Sequence, residues 1–226
     1  MRGSNFDQFR SILIKVQHFC RLATHINYFP ATVDTVDAVG SAVGSVPWLV
    51  VLVDFDSDPL ENNQKQEFGS LLEEQAQLYF TEASGRTINI EIDVHDEIIR
   101  SQRPLQYYGK DGDNGRDYGD GTEFMPAKLS EYVVDNLNVE DWSKYDLNED
   151  KIVDRFLIVH STLSQEQGGG STSRIWSHFT TFQTPISIDG YVIEHYTMSS
   201  LRHGMNGIGT ILHEMMHQFG AFDLYP

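Results

Sequence analysis

The sequence predicts an α/β chain in which strands and helices interleave around one mixed, twisted sheet, with a motif-bearing helix at its C-terminal end. Three observations carry this. "WLVVLVDF", residues 48 to 55, is a continuous valine-rich apolar run, as a strand buried on both faces requires. In "RTINIEIDV", Ile88, Ile90, Ile92 and Val94 alternate strictly with Thr87, Asn89, Glu91 and Asp93, the pattern of a half-buried strand. Between and after such runs, apolar residues recur at the spacing of helices.

Taken in order, residues 5 to about 28 read as an amphipathic helix, with Phe9, Ile12, Val16, Phe19 and Leu22 on one side. From Asn27 to Pro47 the text turns to Pro, Thr, Gly, Ser and other small residues, which have little to bury and read as a linker. Residues 1–47 are therefore expected to be an arm, a leader or a pro-segment, and the folded domain to span 48–226. After the first strand, "QKQEFGSLLEEQAQLYFTEAS" is helical through Phe68, Leu71, Leu72, Leu78 and Tyr79. The alternating strand follows, then a helix around "KLSEYVVDNL" and a strand at "VDRFLIVHS". "ISIDGYVIEHY" places Asp189 and Gly190 between two alternating runs, a hairpin signal. The last helix is "NGIGTILHEMMHQF".

Composition narrows the function. With 226 residues and 40% hydrophobic content the chain can bury a core of its own. Its 33 acidic against 16 basic residues, a net charge of -17, argue against nucleic acid or an anionic membrane as a partner. Cys20 is the lone cysteine, so neither a disulfide framework nor a cysteine-rich metal site is available. The apolar patch "ILIKV" is too short for a spanning helix and is broken by Lys15.

The chemistry concentrates in "HEMMHQFGAFD". On a helix, His213 and His217 lie one turn apart on one face, so both imidazoles reach one small ion. Glu214 is rotated about 100° from His213, placed to bond a water on that ion rather than to complete the pair. Gly220 ends the helix where a left-handed residue is wanted, and Asp223 returns an oxygen. Three protein ligands leave zinc's fourth position open, the mark of a catalytic site, with Glu214 as general base and then acid. HExxH alone is a weak signal; requiring the glycine and the following acid lowers chance occurrence by roughly two orders of magnitude.

Other polar clusters are more ambiguous. Asp146, Asn148, Asp150 and Asp154 fall at relative positions one, three, five and nine, the oxygen spacing of a calcium loop. Lys151 at position six and Leu157 at position twelve depart from an EF-hand, so the alternative is a solvated turn before a strand. "KDGDNGRDYGDGTEF" carries Asp111, Asp113, Asp117 and Asp120 among glycines and is expected to be a mobile acidic loop, with a second cation as the alternative. His178, on an expected strand with Trp176 on the same side, reads as structural rather than substrate-facing. Cys20 reads as an ordinary thiol, the sharper alternative being a thiolate that caps zinc from the N-terminal arm.

The HExxHxxGxxD ending followed by "LYP", together with "VVLVDFDSDP", "LYFTEASGRTINIEIDV", "YYG", "DWSKYDLNEDKIVDRFLIVH" and "RIWSHF", resembles the immune inhibitor A-like secreted metallopeptidases over about residues 48 to 226. The resemblance implies an α+β zincin-like fold and a secreted zinc endopeptidase acting on proteins or peptides, with His213, His217 and Asp223 as ligands and Glu214 as catalytic acid/base. It also implies a lower C-terminal subdomain past the motif, whereas this chain stops three residues after Asp223. A fragment, a second chain that supplies the rest, or an inactive protein-binding module on the same scaffold are the readings this leaves.

Overall fold

The structure, a computed structural model, describes residues 44–167, 171–221 and 223. The helix expected over 5–28, most of the 27–47 linker, and Cys20 lie outside the described residues.

The first strand, β1 (Gly44–Asp54), begins four residues earlier than the apolar run. Every residue from Val46 onward is buried, because the strand sits inside the sheet and feeds both of its faces. Leu49, Val51 and Val53 enter one core; Val46, Trp48, Val50 and Leu52 enter the other. Helix α1 (Asn62–Ala83) is tied at its start by Gln64 Oε1, which accepts from the Glu61 amide at 2.9 Å. Its buried stripe is Phe68, Leu72, Ala76 and Phe80, a strict four-residue step. Leu78, expected inward, is exposed, since it lies off that stripe.

Strands β2 (Ile88–Val94) and β3 (Ile99–Arg100) both pair in parallel with β1, one after the other along the same side. Two short helices follow, α2 (Leu105–Gly109) and α3 (Met125–Asp135), then a 3₁₀ turn at Trp142–Tyr145. Strand β4 (Phe156–His160) is parallel to β1 on its other side. Strands β5 (His178–Ile188) and β6 (Tyr191–Ser200) form the expected hairpin, turning on Asp189 and Gly190 with φ of 47° and 81°. Two successive positive φ values suit the right-handed twist of the flanking strands. Helix α4 (Gly204–His217) closes the order.

The sheet runs β2-β1-β4-β6-β5, parallel throughout except for the antiparallel β5 at one edge. Helices α1 and α4 pack on one face around Phe68, Leu72, Phe80, Ile211, Leu212 and Met215. Helices α2 and α3 with Trp142 and Tyr145 cover the other. The fold is thus the mixed α/β architecture the sequence predicts, three layers with α4 against the sheet. Truncating Leu72, fully buried at the centre of α1, to alanine is expected to cost about 2–5 kcal/mol, read by chemical denaturation.

The acidic segment 110–124 is not the slack loop its composition suggests. Gly112 and Gly119 cross so closely that a Cβ on Gly112 would meet the Gly119 carbonyl oxygen at 1.5 Å. Asp117 is buried and accepts from the Trp176 amide, and Gln165 Nε2 donates to both Asp111 oxygens at 3.0 Å. Partners distant in sequence order it, a feature no local pattern reports.

His178 and His195 are core groups. His178 is bonded through Nδ1 to the Trp176 carbonyl and through Nε2 to the Tyr196 hydroxyl; His195 Nε2 meets the Asp154 carbonyl. Burial pushes both imidazoles down to about 4 from an ordinary 6.5. Such groups stabilise the fold fully above pH 6.5, and that contribution is lost as pH falls through 4, on the order of 3 kcal/mol each. The unfolding midpoint is expected to drop steeply over that window, with His195→Gln removing about half of the slope.

Candidate metal centre

Helix α4 carries its apolar side to the sheet and brings His217 of its last turn against Phe179 of β5. Its end is a Schellman motif: the Ala221 amide donates to the Met216 carbonyl at 3.2 Å and the Gly220 amide to the His217 carbonyl at 2.9 Å. Gly220 takes φ of 82°, as that motif demands. The chain then reverses, and Asp223 comes back over the last turn. Gly220→Ala is expected to cost about 1 kcal/mol or more by placing a Cβ in that conformation, with Gly220→Asn milder, measurable as a lower unfolding midpoint.

Asp223 Oδ1 lies 3.2 Å from His213 Nε2 and 3.5 Å from His217 Nε2. The two imidazoles are 4.8 Å apart, ring edge toward ring face. Ligand atoms about 2.0–2.1 Å from a tetrahedral ion are about 3.4 Å from one another, so the two Asp223–imidazole distances suit one small ion. Glu214 stands differently, with its oxygens 4.0 Å from His213 Nε2 and 3.9 Å from His217 Nε2. That is too long for an edge of the same tetrahedron and right for a carboxylate beside it. Among the described residues, His213, Glu214 and His217 form the metal-capable group, their ligating atoms within 4.8 Å. Imidazole and carboxylate donors so placed suit a divalent metal ion.

The surroundings fix these groups. His217 Nδ1 donates to the Ala221 carbonyl at 2.8 Å, which leaves the Nε2 lone pair directed at the site. The Phe179 ring of β5 stacks on His217 at 6.2 Å between centroids. Burial pushes the Glu214 carboxyl up to about 8; nearby His213 opposes this, Glu166 and Asp223 reinforce it, and the Phe179 backbone opposes it. For His213, burial works downward, but the bond to Asp223 and the charge of Glu214 outweigh it, and the net is upward. For His217, burial and then the charge of His213 prevail over the Ala221 bond, and the net is downward.

The four residues expected at the metal are thus brought together. Asp146, Asn148, Asp150 and Asp154 are gathered at a different place, the turn before β4. Asp146 accepts from the Asp150 and Lys151 amides at 3.0 Å each, and Asp150 from the Ile152 amide at 2.8 Å. Lys151 adopts φ of 71° at the position where a calcium loop ordinarily has glycine. Asp154 is fully buried; one of its oxygens accepts from the Leu147 amide within the turn, while Oδ1 has no partner. Sequence reasoning missed Phe179 of β5, Thr197 of β6, Glu166 in the turn after β4, and Gln218 just past α4, which only the tertiary fold brings to the site's surroundings.

No curated protein sequence matches the chain. Residues 54–226 match the catalytic domain of the immune inhibitor A peptidase M6 family, a span that holds α1 through α4, every strand after β1, and every residue of the site. With the HExxHxxGxxD side chains converging as described, the chain belongs to the immune inhibitor A peptidase M6 family.

Proposed function

We propose that the chain is a zinc-dependent endopeptidase that hydrolyses proteins or peptides outside the cell. The observation that carries this is the pairing of a three-donor set at 3.2 and 3.5 Å with a buried carboxylate about 4 Å from both imidazoles. His213, His217 and Asp223 hold the ion, and bound zinc supplies Lewis acidity to water and to the scissile carbonyl. Glu214 accepts the water's proton on a carboxylate oxygen and passes it to the amide nitrogen as the C–N bond breaks. A bound cation favours the ionised carboxylate, which brings Glu214 into its base form at neutral pH. Strand β5 supports a peptide substrate: among the described residues it pairs with β6 alone, so its outer edge offers main-chain groups to an extended segment beside Glu214.

Secretion belongs to the same reading through the family; among the described residues no helix is long and apolar enough to cross a membrane. Elemental mass spectrometry of the purified chain, paired with a chelator-controlled casein assay, tests the proposal. Near-stoichiometric zinc with chelator-sensitive hydrolysis is expected. Zinc absent even after reconstitution would leave the alternative, a non-catalytic protein-binding module or an inactive fragment of a longer protease.

Calcium at Asp146, Asn148, Asp150 and Asp154 is a second proposal, supported by the buried, unpartnered Asp154 Oδ1 in a turn with calcium-loop spacing. At a hundredfold excess over its dissociation constant, such an ion would add about 2.7 kcal/mol. Millimolar calcium is expected to raise the unfolding midpoint, and Asp154→Asn to abolish the rise; a midpoint indifferent to calcium rejects the site.

A further inference from the structure

The apolar face of α4 holds the helix against the sheet, but hydrophobic contact is non-directional and does not by itself set rotation about the helix axis. A directional device is present one residue past His217. Gln218 is almost fully buried, and its side chain enters the sheet beside Phe156. Phe156 pairs with Leu49 of β1, but the β4–β6 register starts only at Leu157 with Thr197, so Phe156 has no partner strand on the β6 side. The Gln218 carboxamide stands in for a peptide unit there: Oε1 accepts from the Phe156 amide at 3.3 Å, and Nε2 donates to the Phe156 carbonyl at 2.8 Å. The second Nε2 proton goes to Thr197 Oγ1 at 2.7 Å. Thr197, fully buried, donates its own hydroxyl proton to the Glu214 backbone carbonyl at 3.4 Å. Both donor hydrogens and the acceptor of the amide are thus used.

We infer that Gln218 and Thr197 are positioning residues for the metal helix: they lock its rotation against β4 and β6 so that His213 and His217 meet Asp223 and Glu214 faces the reacting water. The inference rests on the metallopeptidase reading for its kinetic consequence and stands on geometry for the rest. Hydrogen bonds lose strength steeply with misalignment, so a pair anchored at both the sheet and the backbone of Glu214 resists small rotations that packing tolerates. Misplacement near 1 Å is worth about a hundredfold in rate.

The test sets shape against the hydroxyl. Thr197→Val keeps the volume and removes the hydrogen bonds; Thr197→Ser keeps the hydroxyl and leaves a methyl-sized hole. The valine variant is expected to lose about 10- to 100-fold in kcat with KM changed less than about twofold, and to bind cobalt(II) at least about tenfold more weakly. The serine variant is expected to lower the unfolding midpoint yet retain kcat and cobalt affinity within about twofold of the parent. Gln218→Met, similar in length and without polar donors, is expected to follow the valine variant. Equal losses in the serine and valine variants, or parental kcat and cobalt affinity in the valine variant, would overturn the inference. Should the parent bind metal and hydrolyse nothing, the peptidase reading falls while the cobalt affinities and visible spectra of the variants still decide this one.

Discussion

Glu214→Gln is expected to bind zinc as the parent does and to lose at least about a thousandfold in kcat. General acid/base catalysis of this kind contributes roughly 10²–10⁴-fold, and here one side chain performs both proton transfers. The amide keeps the size and burial of the carboxyl but cannot accept a proton from water. Because Glu214 stands 3.9 to 4.0 Å from the imidazole nitrogens rather than among the ligands, metal content is expected to be unchanged. Loss of metal in this variant would instead make Glu214 a ligand and dismantle the proposed mechanism.

The same substitution has a second signature in metal-free protein. Burial holds the Glu214 carboxyl near 8, above its ordinary 4.5. A carboxyl raised in the folded state stabilises fully below its unfolded value, and that stability is lost as pH rises through the folded value. Metal-free parent is therefore expected to weaken between pH 4.5 and 8 by a few kcal/mol, while Glu214→Gln stays flat over that window. His178 and His195 act oppositely, weakening the fold as pH falls from 6.5 to 4. Thermal unfolding of the metal-free chain across pH 4 to 9 separates the two contributions.

His217→Ala is the other large effect, with loss of at least two orders of magnitude in zinc affinity expected, since outer partners of metal ligands alone are worth about 10–100-fold. Three contacts go at once: the donor nitrogen 3.5 Å from Asp223, the Nδ1 bond to Ala221 that ties down the reversal, and the stack on Phe179. Asp223→Ala removes the proposed third ligand while leaving the helix whole, and is expected to lose zinc less completely. Competition titration with a zinc chelator orders the variants; parental affinity in both would remove the proposed ligand set.

What was legible in the sequence follows the range of the forces involved. β1, β2, the Asp189–Gly190 hairpin and the HExxH helix end are set by local periodicity and by conformations that few residues adopt, so neighbouring letters suffice. Helix α2, five residues long, has no period to detect. Strand β5 begins at His178, well before the alternating run, because a register shift between Thr181 and Ile186, with Pro185 inside it, breaks the pattern. Pro is tolerated there because β5 lies at the sheet edge. The inward face of α1 was read through Leu78 when Ala76 and Phe80 form it, since the small Ala76 hides a stripe. Order in the 110–124 segment depends on Gln165 and Trp176, and the Gln218–Thr197 device on three separate elements, neither of which adjacent residues announce.

The position of β1 also dictates when the metal centre becomes available during folding. β1 is the earliest strand among the described residues, its partners come from later in the chain, and α4 packs beneath its Val46, Trp48, Val50 and Leu52. The pairing that closes locally is the β5–β6 hairpin; β4–β6 pairs residues 40 apart, and β1–β4 joins opposite halves of the chain and carries the largest loop-closure cost of the three. Helix α4 gains its seat only after those non-local pairings exist. On the proposed metallopeptidase reading, zinc capture is then expected to be a late event that reports completion of the whole sheet, and a metal-sensitive dye followed during refolding checks it: uptake ahead of the sheet's own signal would refute it.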